Sequence, residues 1–215
     1  MVKVNTAQEL NTFFIWLKNT SEKQWQTTEL NRTIFGFQIQ KGTKWLKGLS
    51  DSDIAEYERI MGFGFPEVYK QFLKQMNGTD KQTINIYGES GEPYRYSVGF
   101  LSFPRDLELV KTKIAVVLEA FQITPRAVEQ QTIPHIMPII EHRFLVMDRC
   151  EGNLVLSIYE DDLILYASSL PQFLVKDIFQ GWDPKKLFAG NKKLEHLAGA
   201  GSSHVTPKVK FWLEE

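Results

Sequence analysis

The sequence predicts a single-domain α+β fold, and three observations carry this prediction. The chain has 215 residues with 43% hydrophobic content, which suffices for one sizeable core. Apolar residues recur at helical spacing in several segments, and short β-rich runs divided by turn residues form separate groups. Helices that precede and follow separate groups of strands are typical of α+β proteins rather than of alternating βαβ units.

The first predicted element is a helix with a recognisable start. Thr6 and Glu9 have the spacing of a capping box, in which the two side chains satisfy free amides of the first turn. One apolar face follows, made of Leu10, Phe13, Phe14 and Leu17. The polar stretch that continues to about Thr33 predicts a loop, and residues 34–39 predict a short strand or extended segment.

Two further helices are predicted on either side of Gly62, which suits a left-handed C-cap. Ser50 opens a capping signal for the first of them, and Pro66 is placed to open the second. Asn77-Gly78 predicts the end of the second helix. The apolar faces are Ile54, Tyr57 and Met61 in the first helix, and Tyr69, Phe72, Leu73 and Met76 in the second.

The rest of the chain alternates between β-rich and helical patterns. Residues 83–87 and 94–100 flank a Gly-containing turn and predict a hairpin. Three short apolar runs divided by acidic turns predict an antiparallel meander over residues 143–148, 153–158 and 163–167. Helices are predicted over residues 105–121 and 173–179, and an apolar run closes the chain at 209–213.

Charge and composition exclude several classes of function. Lys and Arg total 25 against 26 Asp and Glu, a net charge of -1, so no long-range attraction to nucleic acid or anionic lipid is built in. The N-terminal residues lack a secretory signal, and no stretch has the ~18 continuous apolar residues of a membrane span. The lone Cys150 cannot form an internal disulfide. We therefore expect a cytoplasmic protein without a membrane partner.

Patterns that would support chemistry are weak. Cys150 could act as a thiol nucleophile with His135 or His142 as its base. The same two histidines and Glu141 could be the ligands of a metal ion. Their spacing matches no known ligand or catalytic motif, so we expect no catalytic, metal or cofactor site. Lysines around Trp45 resemble a platform for single-stranded nucleic acid, but the balanced charge makes nucleic acid an unexpected partner.

Acidic residues concentrate in the predicted turns. They are Glu89, Glu92, Glu151, Glu160, Asp161 and Asp162. Two interpretations remain open, because turns are commonly solvated charged segments and because loops on a rigid scaffold often carry binding. In the second interpretation these side chains present negative charge to a basic protein partner.

One segment resembles a known family signature. The segment resembles the signature of the SUKH superfamily in the order and spacing of its residues. It consists of a helix that contains Glu58, followed by Gly62, Phe65-Pro66, Tyr69-Lys70, Phe72-Leu73 and Asn77-Gly78. Residues 137–139, 144–148, 155–157 and 170–179 are similar to the second half of the family domain. The resemblance implies a SUKH-like domain over residues 42–182, an N-terminal helix and strand extension over 1–41, and a C-terminal extension over 183–215 that packs on the domain or extends from it.

The resemblance also implies fold and function. The family fold is a twisted mixed sheet, largely antiparallel, with helices packed around it. Its signature residues are structural, here Glu58, Gly62, Pro66, Tyr69, Phe72, Leu73, Asn77 and Gly78. Its bacterial members are mostly inferred to be immunity proteins that neutralise polymorphic toxins, and its yeast founder is a cell-wall-assembly regulator. We therefore expect a non-enzymatic protein, monomeric or weakly dimeric, that binds a cognate toxin domain, or alternatively an adaptor in cell-wall assembly or signalling.

Overall fold

The computed structural model describes residues 6–34, 36–86, 95–130, 133–150, 152–180, 183–199 and 211–213, and within them the α+β prediction is confirmed. The helices are α1 (Ala7–Trp25), α2 (Asp51–Met61), α3 (Glu67–Gln75), α4 (Leu107–Ala120), α5 (Pro125–Glu129), α6 (Leu170–Ile178), α7 (Pro184–Phe188) and α8 (Lys192–Leu197). The strands are β1 (Trp45–Lys47), β2 (Met76–Thr79), β3 (Thr83–Asn85), β4 (Arg95–Ser97), β5 (Ile136–Ile140), β6 (Arg143–Val146), β7 (Val155–Tyr159) and β8 (Asp162–Ala167).

The strands of the described residues form three antiparallel sheets. β1 pairs with β2, and β3 pairs with β4, as expected for the predicted hairpin, whose connection lies outside the described residues. The predicted meander is the larger part of a four-stranded sheet in the order β5-β6-β7-β8. Short connections favour antiparallel pairing in β3–β4 and in β5 to β8, whereas β1 and β2 pair across the two intervening helices α2 and α3.

The N-terminal helix is longer than predicted. The capping box of Thr6 and Glu9 is present, but α1 continues to Trp25, whereas the sequence predicted a loop from the polar residues after Leu17. Ser21 and Trp25 are both buried on the apolar face of α1, so the helix is held by contacts on that face despite its polar composition. Of the short strand or extended segment predicted over residues 34–39, the described residues contain an isolated antiparallel bridge from Gln38 to Ile84 and no longer strand, which agrees with the extended alternative.

The predicted start and end of α2 and the predicted start of α3 are confirmed, but the predicted end of α3 is not. Gly62, with φ 80°, is the left-handed C-cap residue of α2, and Pro66 directly precedes α3. Asn77-Gly78 does not stop the helix as predicted, because α3 ends at Gln75 and both residues lie in the buried strand β2. A Cβ on Gly78 would collide with Ser102 and the backbone of Phe100, so the close approach of that neighbouring segment requires glycine there.

The four-stranded sheet separates two hydrophobic clusters. Leu145, Val155 and Ala167 face the main cluster, which also holds α1, α3 and α6. Phe144 and Leu156 face the second cluster, which includes Val117 of α4 and Trp212. Side chains alternate between the two faces of a strand, so this one sheet forms a wall of both clusters. Within the described ranges, no helix combines the length and hydrophobicity needed to cross a membrane.

Candidate functional site

The acidic turn between β7 and β8 is exposed to solvent. We use the term acidic turn for Glu160, Asp161 and Asp162, all of which are exposed. Glu160 has φ 54°, the left-handed conformation that closes this short connection. The other predicted acidic residues, Glu89, Glu92 and Glu151, lie outside the described residues.

Next to the acidic turn, one end of the sheet presents apolar side chains to solvent. Tyr159 is 55% exposed and Ile164 is 51% exposed. Ile164 pairs with Ser157, Ser157 pairs with Arg143, and Tyr166 follows at the β8 position two residues beyond Ile164. These five residues share the sheet face that α6 and the main cluster cover at its other end. We use the term open face for this end, in which Tyr159 and Ile164 are exposed and Arg143, Tyr166 and the buried Ser157 form the floor.

A cation and an acid are anchored around Tyr166 at the floor of the open face. The Arg143 guanidinium lies 3.8 Å from the centre of the Tyr166 ring and donates a 2.6 Å hydrogen bond to the Ser157 hydroxyl. The Tyr166 hydroxyl donates to Asp177 of α6 at 3.1 Å. Burial raises the pKa of Asp177, while Arg143, the Tyr166 hydroxyl and Lys176 act in the opposite direction. These contacts hold the floor of the open face in one arrangement.

A second polar contact joins the four-stranded sheet to the β3–β4 hairpin. Glu141, at the turn between β5 and β6, accepts hydrogen bonds from Thr83 at 3.1 Å and Ser97 at 3.2 Å. Its backbone oxygen accepts from Lys113 of α4 at 2.9 Å. Burial is the largest cause of the raised pKa of Glu141, and it also lowers the pKa of Lys113. One carboxylate, one ammonium group and two hydroxyls therefore meet at this contact.

His142 lies between these groups and the exposed Tyr159. Its ring contacts Tyr159 edge to face, with 6.0 Å between centroids. Burial, and then the positive charges of Arg143 and Lys113, lower the pKa of His142 to about 4. At neutral pH this imidazole is uncharged, so the border of the open face carries no histidine cation.

The thiol and metal alternatives gain no geometric support. Burial raises the pKa of the Cys150 thiol. The thiol donates a hydrogen bond to the backbone oxygen of Val146 at 3.9 Å. His135 instead binds Asp148, and His142 contacts Tyr159. Across the part of the chain that the structure describes, no group of three or more His, Cys, Asp or Glu side chains could hold a metal ion.

The aromatic platform considered for nucleic acid is not at the surface. Trp45 is buried and its indole N–H donates to the Ser21 hydroxyl at 2.8 Å. Its ring lies against Trp25 and Phe100 of the main cluster. A buried ring cannot stack on a base, so Trp45 stabilises the fold instead.

The comparisons with known proteins agree with the signature in α2, α3 and β2. A family model described as SMI1 / KNR4 family (SUKH-1) matches residues 48–176, more than half of the chain. The chain belongs to this family. The resemblance to the SUKH superfamily predicted from the sequence is thereby confirmed. No curated protein matches the chain.

Within this SUKH-1 domain, Glu58 joins the two helices of the signature. Its carboxylate accepts from the backbone N–H of Phe65 at 2.5 Å and from Lys70 at 2.8 Å. Burial acts to raise the pKa of Glu58, but these two bonds outweigh it and leave the pKa lowered. The arrangement supports the proposal that the signature residues are structural.

The family match includes the open face and excludes several other elements of the fold. The matched residues extend from the start of α2 into α6, whereas α1, α7, α8 and Trp212 lie outside. Sequence reasoning identified the acidic turn but missed Arg143, Tyr166 and Asp177. A usable signal was the polar Ser157 within the apolar run Val155-Leu156-Ser157-Ile158, because a buried hydroxyl needs a partner.

Proposed function

We propose that this SUKH-1 protein is a non-enzymatic binding domain, an immunity protein that neutralises a cognate toxin domain. The observation that carries the proposal is the open face, where exposed Tyr159 and Ile164 border an acidic turn on a rigid sheet. Central aromatic and aliphatic anchors with a charged border are the usual composition of a protein interface.

The rigidity of the open face favours binding without rearrangement. Arg143, Ser157, Tyr166 and Asp177 are linked by hydrogen bonds and by the cation over the ring, so the floor is ordered before a partner arrives. Side chains that are already fixed lose less conformational entropy on association. This supports tight binding by a small apolar patch.

The acidic turn specifies the charge of the proposed partner. Three consecutive carboxylates project at the end of the hairpin beside the apolar patch. They complement a basic surface, such as the substrate groove of a toxin that acts on nucleic acid, and attract it over long range. In this mechanism the domain covers the groove and the carboxylates take the place of the phosphates.

The decisive experiment is co-expression with the toxin domain encoded in the neighbouring reading frame. We expect restored cell survival and a one-to-one complex of the purified proteins. The double variant Tyr159→Ser with Ile164→Ser removes both apolar anchors, and loss of hot-spot contacts should weaken the complex about 30-fold or more. Survival should fall in parallel.

A matched control is available in the same protein. Tyr96 is 55% exposed on β4 and Val116 is 58% exposed on α4, yet neither belongs to the open face. The double variant Tyr96→Ser with Val116→Ser removes comparable apolar surface and should leave the dissociation constant unchanged. Equal weakening by both double variants would refute the open face as the interface.

The acidic turn is tested separately. Replacing Glu160, Asp161 and Asp162 by Ser should slow association and reduce its dependence on salt, because steering by charge is lost. Unchanged association kinetics would contradict the charge argument. Absence of both rescue and binding by the unmodified protein would refute the immunity function and favour the adaptor function.

A further inference from the structure

A concave site is formed by residues outside the open face. A groove of about 550 Å³ lies between the end of α2, the helices α4 and α5, and the start of β5. Its walls are mainly apolar, and they include Met61, Phe63, Ile114, Leu118, Val128 and Ile136. No residue of the open face or the acidic turn lines it. Pockets of this size and composition are typical of sites for small organic molecules.

His135 is held in the wall of this groove in a single orientation. Its ring stacks on Phe63 with 4.3 Å between centroids and a 23° angle between planes. Its Nδ1 lies 2.8 Å from one oxygen of Asp148, and its backbone N–H donates to the other oxygen at 2.8 Å. A carboxylate only accepts hydrogen bonds, so Nδ1 carries the proton of this contact.

The other ring nitrogen of His135 is available to a ligand. In the neutral imidazole Nε2 is a hydrogen-bond acceptor when Nδ1 is protonated. No described residue donates to Nε2, although His135 contributes to the groove surface. Glu129 is exposed and also lines the groove. The polar side chains of the groove therefore present an acceptor and a negative charge to its contents.

From this combination we infer that the groove binds a small arylalkylamine whose ring carries a hydrogen-bond donor. The aromatic ring lies among the apolar walls, its hydroxyl or N–H donates to Nε2 of His135, and the ammonium group pairs with Glu129. Each feature of the ligand complements one feature of the groove. This inference does not depend on the proposed immunity function, because the two sites share no residue.

Tyramine is the probe that contains all three features. Calorimetric titration of the full chain at pH 7.5 should give a Kd of about 0.1 to 1 mM, appropriate for a ligand of ~10 non-hydrogen atoms. Phenethylamine lacks the hydroxyl and should bind about tenfold more weakly. The analogue 2-(4-hydroxyphenyl)ethanol lacks the ammonium group and should also bind more weakly, by several-fold.

Variants assign each preference to a side chain. His135→Phe keeps a ring against Phe63 but removes Nε2, so tyramine and phenethylamine should then bind equally. Glu129→Gln should remove the preference for tyramine over the alcohol. His196→Phe is the control, because His196 lines a different groove beside α1, and it should change neither preference.

The result is interpretable even if a variant does not fold. Nuclear Overhauser effects between tyramine ring protons and the methyl groups of Val128 and Ile136 are expected in the unmodified protein. Two results would overturn the inference. The first is absence of tyramine binding at about 10 mM, tenfold above the highest expected Kd. The second is nuclear Overhauser effects that are confined to other methyl groups. A preference for tyramine that survives in folded His135→Phe would overturn the role of Nε2.

Discussion

At the scale of single residues, Asn77 shows how a polar side chain can be required in a buried strand. Its amide donates to the backbone oxygen of Phe103 at 2.6 Å, and its carbonyl accepts from the backbone N–H of Phe103 at 2.9 Å. One side chain therefore satisfies both backbone groups of a buried residue that has no strand partner of its own.

Replacement of Asn77 by Ala should destabilise the protein strongly. The change leaves the buried N–H and carbonyl of Phe103 without these partners, which costs about 2 to 4 kcal/mol of unfolding free energy. Urea denaturation monitored by circular dichroism measures this loss of unfolding free energy. Asn11→Ala is the control, since Asn11 only accepts a bond from the partly exposed Gln75, and its effect should be about 0.5 kcal/mol or less.

His142 should make stability depend on pH. Its folded pKa of about 4 lies below the value of 6.5 for a free imidazole. Between those pH values the unfolded chain binds a proton that the folded protein excludes, so stability falls as pH drops from 6.5 toward 4.

The variant His142→Phe tests this dependence. It cannot titrate, so its free energy of unfolding should fall less than that of the unmodified protein over the same pH window. The difference should be on the order of 1 to 2 kcal/mol, since the ring is only half-buried. Glu141 and Asp177 have raised pKa values and act in the opposite direction in both proteins, so only the difference is informative. Parallel pH profiles would be the contradicting result.

At the scale of elements, α1 belongs to the core although it precedes the family match. Phe14 is fully buried, and its ring contacts the ring of Phe72 in α3 edge to face, with 5.8 Å between centroids. Lys18 also donates to the backbone oxygen of Gln75 at 3.0 Å, at the end of α3. The helix therefore completes the main cluster for the signature helix α3.

The variant Phe14→Ala should lower the free energy of unfolding by about 3 to 5 kcal/mol, because it leaves a cavity between α1 and α3. Chemical denaturation gives the value. The neighbouring residue offers the control: Ile15 is 42% exposed, and Ile15→Ala should have a much smaller effect. Similar losses for the two variants would mean that α1 is not anchored through Phe14.

The elements also show what sequence patterns can predict. Caps and apolar spacing located the starts of α1 and α2, because those signals are local. The extension of α1 to Trp25 was missed because its residues are polar, although Leu17, Ser21 and Trp25 recur at the helical spacing of four. Asn77 was interpreted as a helix stop because its partner, Phe103, is distant in sequence.

At the scale of the whole molecule, the two clusters share the four-stranded sheet and are completed by segments outside the family match. Helices α1, α7 and α8 contribute to the main cluster, and Trp212 contributes to the second. Trp212 is buried in the second cluster and its indole N–H donates to the backbone oxygen of Pro134 at 3.0 Å. The sequence analysis located the acidic turn beside the open face but did not identify the open face itself. Arg143, Tyr166 and Asp177 meet by tertiary folding, which periodicity does not encode.

Loss of Trp212 should therefore weaken the whole protein. Trp212→Ala removes a large buried ring and a hydrogen bond, and we expect about 3 to 5 kcal/mol less unfolding free energy. The adjacent Phe211 is 39% exposed, so Phe211→Ala provides the comparison and should have a smaller effect in the same denaturation assay. If Trp212→Ala left the midpoint unchanged, the C-terminal segment would not contribute to folding stability.

The distribution of buried indoles provides a built-in optical probe. The rings of Trp25 and Trp45 lie in the main cluster with 5.3 Å between their centroids, whereas Trp212 lies in the second cluster. Tryptophan emission moves to longer wavelength when water reaches the ring. Trp16 also packs against the main cluster, and Trp182 lies outside the described residues, so Trp182 is replaced by Phe in both proteins. In that background the spectrum of Trp212→Phe reports on the main cluster, and its difference from the spectrum with Trp212 present reports on the second. Because β5 to β8 form a wall of both clusters, the two signals should change at the same denaturant concentration.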